Sequence, residues 1–156
     1  MDSGWKLPPK AKVYEALSAV ADERVRLFDA YKAEVTSSSG DKKYTVEWSE
    51  DGKAFSSNDN ASYWQGYIGY PIIAVLLTTG RVPHNAAALT HLRGVEWKKL
   101  NKQHKNDYDK AVAAVLTSLT DRGFDIGPIA RDVDEIYMSL QELDLHKLPQ
   151  RRRPPV

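Results

Sequence analysis

Apolar positions recur every three to four residues in three long stretches and alternate with polar ones in two shorter runs, and that division lays out the elements. In residues 10–22, Val13, Leu17 and Val20 form a helical stripe, with Pro8 and Pro9 placed just ahead of the first turn. Tyr31, Ala33 and Val35 then alternate with Lys32, Glu34 and Thr36, and Tyr44, Val46 and Trp48 alternate with Thr45, Glu47 and Ser49. Each run has the period of a strand with one wet face. The turn residues SSSGD lie between them, so the runs are predicted to pair as a hairpin. Asp51 and Gly52 mark a second tight turn, from which residues 53–57 return as a short third strand.

Residues 58–77, NDNASYWQGYIGYPIIAVLL, hold four aromatic side chains and two glycines, and contain no Lys or Arg. Asn60 or Ser62 is positioned to cap a short turn carrying Tyr63, Trp64 and Tyr67. Pro71 then opens a buried helix that Gly80 ends. Asn85 is predicted to cap another helix, reaching Leu92 and stopped by Gly94, and Val95, Trp97, Lys98 and Leu100 suggest one more turn. Behind a cap at Asn106 or Asp107, the positions Tyr108, Val112, Val115, Leu116 and Leu119 form a stripe that ends before Gly123. Asp125 and Pro128 open the last helix, with Ile129, Val133, Ile136, Tyr137, Leu140 and Leu143 on one side. The expected fold is α+β: a small antiparallel sheet of two or three strands packed against four to six helices, the last two forming a C-terminal helical hairpin. Residues 1–148 read as a single domain and residues 149–156, PQRRRPPV, as a disordered basic tail.

Charge changes this picture only locally. The 22 Lys and Arg residues nearly balance 21 Asp and Glu, so no global field favours nucleic acid and any phosphate binding needs a local patch. Cysteine is absent, which excludes disulfides, thiolate nucleophiles and Cys-based metal sites and suits a reducing, cytoplasmic interior. The run IIAVLL is far shorter than the ~20 residues of a membrane helix, and the N-terminus lacks the apolar centre of a secretory signal, so no membrane partner is expected.

Two candidate sites follow. Arg93, Lys98, Lys99, Lys102 and Lys105 give the Trp97 region a basic side, and Arg151, Arg152 and Arg153 add three adjacent charges in the tail. Such groups contact phosphates, although a solvated helix face reads the same way. The alternative is a ligand pocket walled by Tyr63, Trp64, Tyr67 and Tyr70, with polar ends from Asn58, Asp59 and Asn60. Tyr and Trp at helical spacing are more often a core contact, and Asn and Asp before a helix are more often caps. The four histidines show neither HExxH nor an i,i+4 pair, so no metal and no cofactor are expected. Phosphate-loop and nucleophile-elbow motifs are absent. No catalytic residue is assigned, and whether the chain is an enzyme stays open.

Residues 35–77 resemble the SWIM zinc module. In that family a β-hairpin with a Tyr-x-Val strand leads to a CxC pair, and a CxH pair opens an apolar helix. Tyr44, Thr45 and Val46 match the strand, and residues 72–77 match the helix. The CxC position falls near Ser56, Ser57 and Asn58 and the CxH position on Gly69, Tyr70 and Pro71, so no metal ligand carries over. The resemblance implies a module that binds nucleic acid or protein, with the aromatic residues replacing the metal as a staple. The expected function is therefore a non-enzymatic module that binds DNA or RNA. The alternatives are a small-ligand protein or small enzyme with an aromatic pocket, and a protein-interaction or homo-oligomeric scaffold.

Overall fold

Helix α1 (Ala11–Ala21) is the spine of the molecule: every residue from Ala11 to Ala19 is buried, the polar Lys12, Glu15 and Ser18 included. The structure, a computed structural model, describes residues 4–149 and 152–156. Ser18 shows how α1 tolerates burial on all sides. Its hydroxyl donates to the Leu92 carbonyl at 2.7 Å and accepts the Trp97 indole N–H at 2.7 Å, so no polar atom there is left wet or wasted.

Five strands follow in one sheet: β1 (Val25–Asp29), β2 (Lys32–Thr36), β3 (Lys43–Trp48), β4 (Ala54–Ser57) and β5 (His146–Lys147). They lie in chain order, antiparallel from β1 to β4, with β5 added parallel to β4. The expected β2–β3 hairpin forms with Val35 opposite Tyr44 and Ala33 opposite Val46. Gly40 and Gly52, both at positive φ, serve the two turns.

The sheet thus exceeds the two or three antiparallel strands expected. Strand β1 escapes a periodicity search because only Val25 is even partly buried: Arg26, Leu27, Phe28 and Asp29 are all exposed on the outer edge. Strand β5 is two residues paired to a segment some ninety positions earlier, a contact no local pattern encodes.

A π-helical turn (Ala61–Gln65) leads to α2 (Tyr70–Thr78), then α3 (Ala86–Leu92), α4 (Trp97–Gln103), α5 (Tyr108–Asp121) and α6 (Gly127–Glu142). With the π turn counted, the described residues hold seven helices rather than four to six. Helix α2, apolar on every side, sits between α1 and the sheet face formed by Ala33, Val35, Val46 and Phe55. Instead of packing chiefly on each other as a hairpin, α5 leans on α1 and α4, and α6 on α1 and α3. Each stripe finds the buried spine, which offers more apolar surface than a second amphipathic helix. Asn85 supplies no side-chain cap to α3. Asp132 of α6 does so from across the core, accepting the Asn85 N–H at 3.2 and 3.1 Å through its two oxygens. No helix among the described residues is long and apolar enough to cross a membrane.

Candidate functional site

Lys98, Asn101, Lys102 and Lys105 stand three, one and three positions apart, a spacing that turns one side of α4 and its exit toward a single direction. They face the aromatic segment across a cleft of about 500 Å³. Its floor is α1, through Lys12 and Glu15; its far wall is the end of the sheet and the start of α2, through Tyr44 and Tyr70; its mouth carries Trp64, Tyr67 and Tyr108. The basic and the aromatic candidates, treated above as rivals, are two walls of one cleft. Five cationic side chains, Lys12, Arg24, Lys98, Lys102 and Lys105, line it against two carboxylates, Glu15 and Asp59.

The aromatic wall is held by a polar staple. Asp59 is buried; its carboxylate takes the Ser57 hydroxyl on one oxygen and the Ser62 N–H at 3.0 Å on the other, which starts the π turn. The Ser62 hydroxyl in turn accepts the Gly69 N–H at 3.1 Å. A Cβ on Gly69 would overlap both the Asp59 carboxylate and the Ser62 hydroxyl. Asp59, not Asn60 or Ser62, is therefore the cap. Tyr63 packs edge-on to Trp64 with centroids 4.6 Å apart, and Trp64 is 69% exposed at the mouth. Tyr70 meets Tyr44 edge-on at 6.2 Å. Burial raises the Tyr70 phenol well above its ordinary value, with Tyr44, Glu15 and Asp59 adding to the rise and Arg24 opposing it. Burial likewise raises Tyr44 and Tyr67.

On the floor, Lys12 and Glu15 form a buried ion pair at 3.0 Å. Burial alone would lower the Lys12 ammonium; the Glu15 carboxylate outweighs it, and the net direction is up. Lys12 also stands 4.1 Å from the Tyr108 ring centroid. Asn101 donates to Glu15 Oε1 at 3.0 Å, while Glu15 Oε2 and Arg24 Nε are buried without an aligned hydrogen bond.

The predicted site residues divide accordingly. Asp59, Asn60, Trp64, Tyr67, Tyr70, Lys98, Lys102 and Lys105 line the cleft. Asn58 does not: its Oδ1 accepts the Thr45 N–H at 2.7 Å and its Nδ2 donates to the Arg153 carbonyl at 3.2 Å, stitching the sheet to the tail. Tyr63 is not part of the lining and packs against Trp64. Lys98 is engaged by Asp41 at 2.8 Å, and that carboxyl is held far below the usual range, first by the Lys98 hydrogen bond and then by Ser39. Lys99 lies on the other side of α4, 4.0 Å from Glu96, and Arg93 is exposed away from the cleft. Lys102 and Lys105 carry no ion pair among the described residues. In the tail, Arg152 pairs with Glu47 at 2.7 Å and Arg153 gives its carbonyl to Asn58, while Arg151 lies outside the described residues. Among the described residues no group of three or more acidic or histidine side chains could hold a metal ion.

Sequence patterns miss Lys12, Glu15, Arg24 and Tyr44. The one available signal is the Lys12–Glu15 spacing of three, and it says nothing about burial until the other elements close around α1.

Fold and cleft together define an α+β protein with a basic, tyrosine-lined cleft. Residues 5–146 match the family model described as "Uncharacterised conserved protein UCP014422", and the chain belongs to that family. Neither the curated proteins nor the solved structures contain a match to it.

Proposed function

We propose that the protein is a binding protein whose cleft takes a mononucleotide. The observation that carries this is the convergence of Lys102 and Lys105, both free of carboxylate partners among the described residues, with the exposed indole of Trp64 around one cleft of about 500 Å³. That volume falls within the ~300–1,000 Å³ of small-ligand sites. Two lysines with no counter-ion among the described residues suit a phosphate monoester, an indole face suits a base, and four phenol hydroxyls suit the polar groups between. None of the four histidines lines the cleft, which supports binding over acid–base catalysis.

A nucleic-acid strand is the second reading, favoured by the open mouth and by Trp64. The two separate in one calorimetric series at low salt with adenosine monophosphate (AMP), adenosine, and a single-stranded oligonucleotide. The mononucleotide reading expects saturable AMP binding, weaker adenosine binding, and an affinity for AMP about tenfold lower in Lys102→Ala/Lys105→Ala. Binding of the oligonucleotide alone would replace it with the strand reading; binding of nothing would remove both.

A further inference from the structure

We propose that a second copy of this chain pairs with strand β1, joining two five-stranded sheets into one across a two-fold axis. This dimer does not depend on what the cleft binds. The two edges of the sheet differ. At the β5 edge the N-terminal segment closes the ladder: Gly4 bridges His146, the Trp5 N–H donates to the Leu145 carbonyl at 3.0 Å, and Lys6 bridges Tyr67. At the β1 edge no strand among the described residues pairs with the outer side.

The backbone of that edge is set out for pairing. The Arg24 carbonyl accepts the Thr36 N–H at 3.0 Å, and Val25, Arg26 and Leu27 stand opposite Val35, Glu34 and Ala33. Alternation in an antiparallel pair then turns the backbone groups of Arg26 to β2 and those of Val25 and Leu27 outward. Unpaired N–H and C=O groups in a row are a template for another strand, and monomeric proteins blunt them with charge. This edge instead carries Leu27 at 49%, Phe28 at 46% and, in the turn that follows, Tyr31 at 44% exposure. Large apolar side chains clustered within five positions mark an interface rather than ordinary surface. The register shift between Leu27 and Asp29 keeps the regular ladder short, so side chains supply the rest of the contact.

The strand complements itself. In an antiparallel pairing with Leu27 opposite Leu27, the outward backbone groups of the two copies meet, and Arg26 of each chain stands opposite Phe28 of the other with Asp29 next to it. Arg26 and Phe28 already stack within one chain, guanidinium carbon to ring centroid at 4.8 Å, so the second copy extends a cation–π stack and brings opposite charges together. Leu27 shares a face with the buried Ala33 and Val35, and Leu27 on Leu27 carries that apolar face across the junction. The neighbouring register, with Arg26 opposite Arg26, sets like charges together. Because the β5 edge is closed, each chain offers one such edge and association stops at two.

Analytical ultracentrifugation of the unaltered protein at rising concentration tests this, beside Leu27→Lys and, as a control, Met138→Lys, which alters another exposed apolar side chain on α6. The mass is expected to rise toward twice that of one chain in the unaltered protein and in Met138→Lys, and to stay at one chain in Leu27→Lys. In the unaltered protein the Val25 and Leu27 amides are expected to exchange with deuterium about tenfold more slowly where the dimer prevails, a readout that needs no variant to fold. A monomer at every concentration overturns the proposal and leaves β1 for a strand of another protein. A dimer that survives Leu27→Lys, or that leaves both amides unprotected, overturns it as well, as does growth beyond two copies.

Discussion

Trp64 is the side chain on which structure and function part most cleanly. It is 69% exposed and touches Tyr63 alone among the aromatic rings, so Trp64→Ala should leave stability within ~0.5 kcal/mol. Losing a stacking partner worth ~1–3 kcal/mol should weaken AMP binding roughly 5- to 150-fold. A thermal melt paired with a titration checks both halves. The tyrosines behind it make a different prediction. Burial raises Tyr44, Tyr67 and Tyr70 above their ordinary 10.0, and Lys12 sits above 10.5. A group whose folded value is raised adds stability that is complete below the unfolded value and is lost as pH climbs toward the folded one. Melting temperature should therefore be flat from neutral pH to about pH 9 and fall beyond about pH 10. In Tyr70→Phe the fall should be shallower, and melts across that range that match wild type would show the cleft wall to be wet.

At the scale of elements, the joint between β4 and α2 holds the aromatic wall in place. Gly69 is needed there for space, since a methyl group would strike the Asp59 carboxylate and the Ser62 hydroxyl. Gly69→Ala should cost ~1–3 kcal/mol and weaken AMP binding as Tyr67 and Tyr70 shift; a denaturant midpoint unchanged from wild type would contradict the staple. The same joint shows where sequence patterns stop. Alternation located β2 and β3, the turn at Asp51 and Gly52 located β4, the three-to-four spacing located α1, α5 and α6, and the unbroken apolar run behind Pro71 located α2, because each of these signals is local. The cap at Asp59, the reach of Asp132 to Asn85, and strand β5 depend on partners far along the chain or on exact turn geometry. Of the site, α4 was legible as a basic helix, yet its own pattern does not tell Lys98, committed to Asp41, from Lys102, which has no ion pair among the described residues.

Across the whole molecule, a net charge of +1 conceals an uneven distribution. The cleft gathers five cations against two carboxylates, so its field is local and reaches about one Debye length, ~10 Å at moderate salt. Affinity for AMP should fall with ionic strength by the modest slope of one phosphate group, not by the steep slope of a many-phosphate contact. The buried spine explains why that charge sits where it does: α1 is surrounded by α2, α3, α5 and α6, and only near its N-terminal half, at Lys12 and Glu15, does the enclosure open to the cleft. Lys12 and Glu15 together hold that opening polar without leaving an isolated charge inside.

The central claim is the location of binding, and amide NMR mapping during an AMP titration addresses it directly. The account predicts saturable shifts at Glu15, Arg24, Tyr67, Lys102 and the Trp64 indole, with Arg93, Arg152 and Arg153 unmoved. Shifts confined to the C-terminal arginines, or absent from the cleft at saturating AMP, would contradict it.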